Sequence, residues 1–233
     1  MNENGLSKRL HCVANYIKKG MKIADIGSDH AYLPTYSVKQ GIASSAVAGE
    51  IAQGPFQSAK DQVDHAGLGH LIDVRKGDGL EVIQPGEVDC IIIAGMGGPL
   101  ISRILERGKD KLPGVSRLIL QPNIGAEHIR RWLQPNGWSL TDEQILEEDR
   151  KIYEVLVCDR GVPEHPYNEK ELLLGPLLMA KKGPVFIKKW SAELKAWEEI
   201  LDHLERAQAR PETEKKKQEL LQKIMMVKEE LSR

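Results

Sequence analysis

WSLTDEQILEEDRKIYEVLVC, running from Trp138 to Cys158, is the stretch that decides the fold. Trp138 to Leu146 and Ile152 to Cys158 both read as strands, with only Glu147–Lys151 between them. That connector is too short for a crossover helix, so the strands must pair antiparallel, as a hairpin at a sheet edge. Upstream the chain alternates strand and helix. Ile23 to Gly27 reads as a buried strand ending in a turn, and a helix follows to about Lys39. Ala46 to Gly49 is a second strand, ending at Glu50, and Pro55 at a first helical position opens the next helix. Leu71 to Val74, Val88 to Ala94 and Arg117 to Leu120 supply three more strands. The run Cys90-Ile91-Ile92-Ile93 suits a sheet buried on both faces. Five βα units closed by a hairpin describe an α/β chain with a Rossmann-like sheet; a dinucleotide-binding fold would ordinarily continue with parallel units.

The flanks carry helices. Leu6, Leu10, Val13, Ala14 and Ile17 recur at helical spacing before Gly20. After Gly161-Val162-Pro163 the composition shifts, residues 169–181 look helical, and Lys182-Gly183-Pro184 breaks them. Trp190, Leu194, Trp197, Leu201 and Leu204, then Leu220, Ile224, Val227 and Leu231, follow heptad-like spacing on either side of Arg210-Pro211. They predict an antiparallel coiled-coil helical hairpin with both tryptophans in its seam. Two domains are expected, residues 1–163 and 164–233.

Bulk composition narrows the function. The chain has 233 residues, 41% of them hydrophobic, which is enough for a core, and no apolar run spans a bilayer. MNENGLSKRL has no signal-peptide stretch, so a cytoplasmic protein with no membrane role is expected. Cys12, Cys90 and Cys158 suggest reduced thiols, and no histidine or cysteine spacing suggests a metal site. The net charge of −1 argues against binding nucleic acid by bulk charge but not by a local patch. Lys8, Arg9, Lys18, Lys19 and Lys22 cluster near the start, and Lys181, Lys182, Lys188 and Lys189 form a second group. Acids concentrate between residues 141 and 171, which predicts opposed acidic and basic faces.

Ligands of open α/β sheets bind at the carboxyl ends of the strands, so the loops there carry the chemistry. The first is Asp25-Ile26-Gly27-Ser28-Asp29-His30-Ala31. Asp29 stands where a G-x-G-x-x-G fingerprint has its second glycine; a carboxylate there would repel a pyrophosphate and suits a cationic, phosphate-free cofactor. Asp29 alternatively only caps the following helix. Glu50, followed by Ile51, ends the second strand and can accept from both ribose hydroxyls of an adenosine; the alternative is a solvated strand-end acid. Asp78 in Gly77-Asp78-Gly79 can accept from an adenine amino group, or simply make a turn. Ala94-Gly95-Met96-Gly97-Gly98 lets a ligand approach the backbone closely. The amides of Gln121 and Asn123 can read the edge of a flat base, or close a turn.

ADIGSDHAYLP (Ala24–Pro34), Glu50, GDGL (Gly77–Leu80), AGMGG (Ala94–Gly98) and LQPN (Leu120–Asn123) together resemble the bacterial tRNA (adenine-22 N1)-methyltransferase family. LSKRL (Leu6–Leu10) and the terminal helical hairpin are similar to that family's two ends. The resemblance implies a class I methyltransferase sheet, S-adenosyl-L-methionine as methyl donor, and N1 of an adenine in the tRNA D-arm region as acceptor. The expected cofactor residues are Gly27, Ser28, Asp29, Glu50, Ile51, Asp78, Gly79, Ala94, Gly95, Met96 and Gly97. Asp29, with His30 second, is expected to face the positive charge that develops on the adenine. Lys8, Arg9, Tyr32, Gln121, Asn123 and the four lysines of the second cluster are expected to meet tRNA, with no obligate protein partner. Competing readings are a protein or small-molecule methyltransferase, an NAD-dependent oxidoreductase and a non-enzymatic RNA-binding module.

Overall fold

The computed structural model describes residues 5–162, 165–206 and 211–232. It divides into two compact units, Met1–Glu164 and His165–Arg233. The expected boundary at 163/164 and the joint at Arg210 fall on residues outside those described.

The first unit opens with helix α1 (Lys8–Ala14) and continues β1 (Lys22–Ile26), α2 (Tyr32–Lys39), β2 (Ser45–Glu50), α3 (Gln53–His65) and β3 (Ile72–Lys76). It goes on through β4 (Cys90–Met96), α4 (Gly98–Arg107), β5 (Arg117–Pro122), α5 (Ala126–Leu133), β6 (Trp138–Glu148) and β7 (Lys151–Arg160). These strands form one seven-stranded sheet in the order β3-β2-β1-β4-β5-β7-β6. β1 to β5 pair parallel; β7 pairs antiparallel with both β5 and β6. Cys90, Ile91, Ile92 and Ile93 are fully buried. Each such aliphatic side chain contributes about 1.5–3 kcal/mol on leaving water. From β1 the chain winds outward first one way, then the other, so the order reverses between β1 and β4 and a crevice opens at their carboxyl ends.

Several local expectations need correction. α3 begins at Gln53, so Pro55 sits two residues inside it, still within the turn whose N–H groups lack helical partners. β4 runs on through Met96, because a register slip against β5 between Ala94 and Met96 admits Gly95 at φ +79°. Asp149 and Arg150, at φ +50° and +62°, turn the β6–β7 hairpin in two residues.

Several of the acids counted toward an acidic face are engaged within the first unit. Acids of the hairpin receive the N-terminal helix: Glu148 accepts from the backbone N–H groups of Lys8 (2.6 Å) and Arg9 (3.2 Å). Asp142 accepts from the Tyr16 hydroxyl, and burial first, then that bond, pushes the phenol up to about 12. Glu143 and Glu154 turn inward and are buried with Arg130 of α5, at 2.7 and 2.5 Å. Asp159 pairs with Arg117 at 2.7 Å.

The second unit holds α6 (Glu169–Leu174), α7 (Pro176–Lys181), α8 (Pro184–Arg206) and α9 (Pro211–Ser232). The expected single helix over 169–181 is broken at Gly175-Pro176, since proline supplies no N–H to the preceding turn. α8 and α9 lie antiparallel, with Lys228 against Glu198 (2.6 Å) and Lys217 against Glu205 (3.7 Å). The seam is fully buried only near one end, at Trp190, Ile224 and Val227; Trp197, Leu201 and Leu220 are half-buried.

Candidate functional site

The turn after β1 is bound to the end of β2. Gly27 (φ +72°) and Ser28 donate backbone N–H groups to Gly49 O at 2.9 and 3.2 Å. The next N–H, that of Asp29, donates to Glu50 Oε1 at 2.5 Å. Asp29, His30 and Ala31 then follow one another in the left-handed region, at φ +34°, +63° and +51°. Non-glycine residues rarely occupy it and each carries strain there, which clusters at functional sites. The strained run is held by the β2 contacts and ends at Ala31, the residue preceding α2, with no side-chain cap. Asp29 therefore does not cap α2, and its side chain is 77% exposed. Glu50 is likewise not a solvated strand-end acid, being 6% exposed.

The loop after β4 is braced by β5. Gln121 Oε1 accepts from Gly95 N–H (3.0 Å) and from the Arg9 guanidinium (2.5 Å), while Gln121 Nε2 donates to Pro122 O (2.9 Å). Gln121 is fully buried and its amide is spent, so it does not read a base edge. Asn123 donates Nδ2 to Gly95 O (2.8 Å) and its backbone N–H to Met96 O (2.7 Å). Of the glycines in AGMGG, Gly98 serves packing: a Cβ there would lie 1.9 Å from Gly125 O.

These loops enclose a cavity of about 310 Å³ at the switch point. It brings together the expected residues Gly27, Ser28, Asp29, Tyr32, Ala94, Gly95, Met96 and Asn123. Arg9 joins them: its guanidinium lies 5.4 Å from the Tyr153 ring centre and faces the cavity, a different place from the RNA surface expected of it. Sequence reasoning missed Asp25, Leu10, Leu33 and Tyr153. Asp25 had a signal, an acid inside the apolar run Ile23–Ile26. It is 4% exposed and accepts from Ser28 Oγ at 2.6 Å. Burial raises its carboxyl from 3.8 to about 7; the Ser28 bond opposes this, nearby Glu50 adds to it, and Arg9 opposes it.

Other expected residues lie elsewhere. Glu50 acts on the cavity through the Asp29 backbone, and Ile51 beside it is 62% exposed. Asp78 and Gly79 line a separate cavity of about 400 Å³ with Arg103, Ile104 and Arg107, the last 3.8 Å from the Asp78 carboxylate. His30 stacks on Tyr32, with ring centres 5.4 Å apart. Gly97 precedes α4 and is not among the cavity's lining residues. Lys8 borders an open groove with Cys12 and Tyr16. In the second unit, Lys182 donates to Glu230 O (2.5 Å) and Lys189 lies 4.6 Å from the Trp190 ring centre, so part of that lysine cluster is engaged within the unit. Lys181 ends α7, and Lys188 lies in α8.

Comparison with known proteins agrees with this architecture. The family model for TrmK, tRNA (adenine(22)-N(1))-methyltransferase, matches residues 23–230. A Bacillus subtilis (strain 168) protein of that description is 53% identical over 233 residues, covering 98% of either chain. The crystal structure of the B. subtilis M1A22 tRNA methyltransferase TrmK superposes with a TM-score of 0.93 at 52% identity, over 97% of this chain and 99% of that one. A Streptococcus pneumoniae structure in complex with S-adenosyl-L-methionine gives 0.87 at 41% identity, over 97% and 100%. M. capricolum TrmK in complex with S-adenosyl-homocysteine gives 0.86 at 27%, over 97% and 98%. With its reversed-order sheet, edge hairpin and strained turn after β1, the chain belongs to the TrmK family of tRNA (adenine(22)-N(1))-methyltransferases.

Proposed function

We propose that this chain methylates N1 of adenine-22 in tRNA, with S-adenosyl-L-methionine as donor. The observation that carries this reading is the cavity between the β1 and β4 loops, in a chain matched along nearly its whole length by tRNA N1-methyltransferases. The residues present fit the donor. Asp25 suits its ammonium group, and Arg9, the cation among the lining residues, suits its carboxylate. Gly95 lines the cavity at φ +79°, a backbone conformation that residues with a side chain rarely adopt. We assign the adenosine ribose hydroxyls to Glu50, which ends β2 and holds the Asp29 N–H, and the adenine face to the exposed Ile51 beside it. The same acids disfavour a pyrophosphate, which counts against the oxidoreductase reading.

Bound S-adenosyl-L-methionine supplies a methyl group already activated on a sulfonium. Adenine N1 has an in-plane lone pair, so no base is needed before attack, but N1 lies on the pairing edge and must be exposed by extruding the base. The chain's contribution is therefore alignment, which supplies roughly 7–11 kcal/mol in well-oriented reactions. Positive charge passes to the adenine ring during transfer, and Asp29, exposed at the cavity wall, is the carboxylate available to stabilise it. His30 is second, through its stack on Tyr32. Local basic groups on α1 and in the second unit supply phosphate contacts.

Primer extension on tRNA modified in vitro tests the reading: a stop one nucleotide before adenine-22, dependent on S-adenosyl-L-methionine, is expected. Asp29→Ala should lower the single-turnover rate by about 10–100-fold at saturating cofactor while cofactor affinity changes little. A normal rate would remove Asp29 from the chemical step.

A further inference from the structure

We propose that Asn123 identifies the acceptor base as adenine, its side-chain oxygen accepting a hydrogen bond from the N6 amino group; this rests on the functional reading above. The sequence offers two amides at the end of β5, and the structure separates them. Gln121 is fully buried, with its oxygen and its nitrogen both committed to the protein. Asn123 is exposed and lines the cavity. Its Nδ2 donates to Gly95 O at 2.8 Å and its backbone N–H to Met96 O at 2.7 Å. The Nδ2 bond fixes the amide's rotation, since turning it would set its oxygen against the Gly95 carbonyl. What is left is Oδ1, which takes no donor among the described residues.

An unengaged acceptor at this wall selects for a donor. On the edge that carries N1, adenine presents the N6 amino group, a donor, beside a lone pair. Guanine presents O6, an acceptor, beside an N1 that bears a proton and has no in-plane lone pair. Asn123 Oδ1 thus accepts adenine and faces guanine with two opposed acceptors. The contact also strengthens as the reaction proceeds. N1 bonds to the methyl carbon, the methyl–sulfur bond breaks, and its electron pair stays on sulfur. Positive charge spreads from N1 to N6, so the N6–H donor becomes charge-assisted while keeping its proton. An interaction that grows toward the transition state raises the rate of the step itself. Because the same side chain braces Gly95, the acceptor wall and the cofactor wall are set by one residue.

The test is a functional-group cycle on full-length protein and tRNA. Target adenine is compared with purine at the same position, which keeps N1 and lacks N6; wild type is compared with Asn123→Ala and with Asn123→Asp, which retains an oxygen. Both the single-turnover rate at saturating cofactor and the equilibrium tRNA affinity are measured. For a hydrogen bond to a group gaining charge, Asn123→Ala should slow adenine methylation on the order of 10–100-fold. On purine tRNA that penalty should vanish in rate or in affinity, and Asn123→Asp should keep the preference for adenine. A penalty of equal size on purine would mean that Asn123 acts only by bracing Gly95, and would overturn the assignment. If wild type leaves adenine tRNA unmethylated, the functional reading falls first, and this inference with it.

Discussion

Asp25 is where residue-scale electrostatics are most exposed to test. Its carboxyl rises from 3.8 unfolded to about 7 folded, chiefly through burial, with Glu50 adding to this and Ser28 and Arg9 opposing it. Folding therefore takes up a proton here between about pH 4 and 7. The stabilisation is complete below pH 4 and is lost as the pH climbs through 7, where the ionised group must stay buried. Asp25→Asn should melt at a higher temperature than wild type at pH 8 and about equally at pH 4, without cofactor. Parallel melting curves across that range would show that Asp25 titrates normally. Gly27, Asp29 and Glu50 were legible in the sequence because a strand that ends in a sharp turn constrains the types of its next residues. Tyr153 was not, and Arg9 was read only as an RNA contact, because each reaches the cavity from an element more than a hundred residues from the other. Asp25 was visible in the sequence as an acid within an apolar strand but was passed over as part of that strand.

Among the elements, the hairpin that decided the fold is locked from beneath. Arg130 of α5 spans Glu143 of β6 and Glu154 of β7, all almost fully buried. Removing the cation alone leaves two carboxylates without their charge partner in the interior. Arg130→Ala should cost roughly 3–5 kcal/mol in urea unfolding. A loss below about 1 kcal/mol would show that the carboxylates protonate or find other donors at little cost. The hairpin itself could be read from a connector too short to cross over. Its burial could not: Glu143 and Glu154 look like surface acids until α5 supplies the matching charge. Element ends were less legible than elements, since Gly95 lengthens β4 by a bulge and Gly175-Pro176 divides a helix that periodicity alone would continue.

At the scale of the molecule, every residue of the central cavity precedes residue 165 and the first unit has its own buried core. Deleting residues 165–233 should leave S-adenosyl-L-methionine affinity within about threefold of wild type. It should weaken tRNA binding by about two orders of magnitude and flatten its salt dependence, as phosphate contacts are lost. A truncated, folded protein that methylates tRNA at the full rate would reassign the helical unit to some other task. The division into a sheet and a helical hairpin was legible because periodicity changes along the chain; the ion-pair partners were not, because they join residues remote in sequence. One such link also sets an order of assembly. Glu148 ties down the start of α1 across 140 residues of chain, and α1 carries Arg9. On the ribosome the β1, β2 and β4 loops emerge first, yet the first turn of the helix beside them lacks its Glu148 acceptor until the β6–β7 turn has cleared the exit tunnel. For most of its synthesis the nascent chain is a receptor still waiting for Tyr153 to complete its wall.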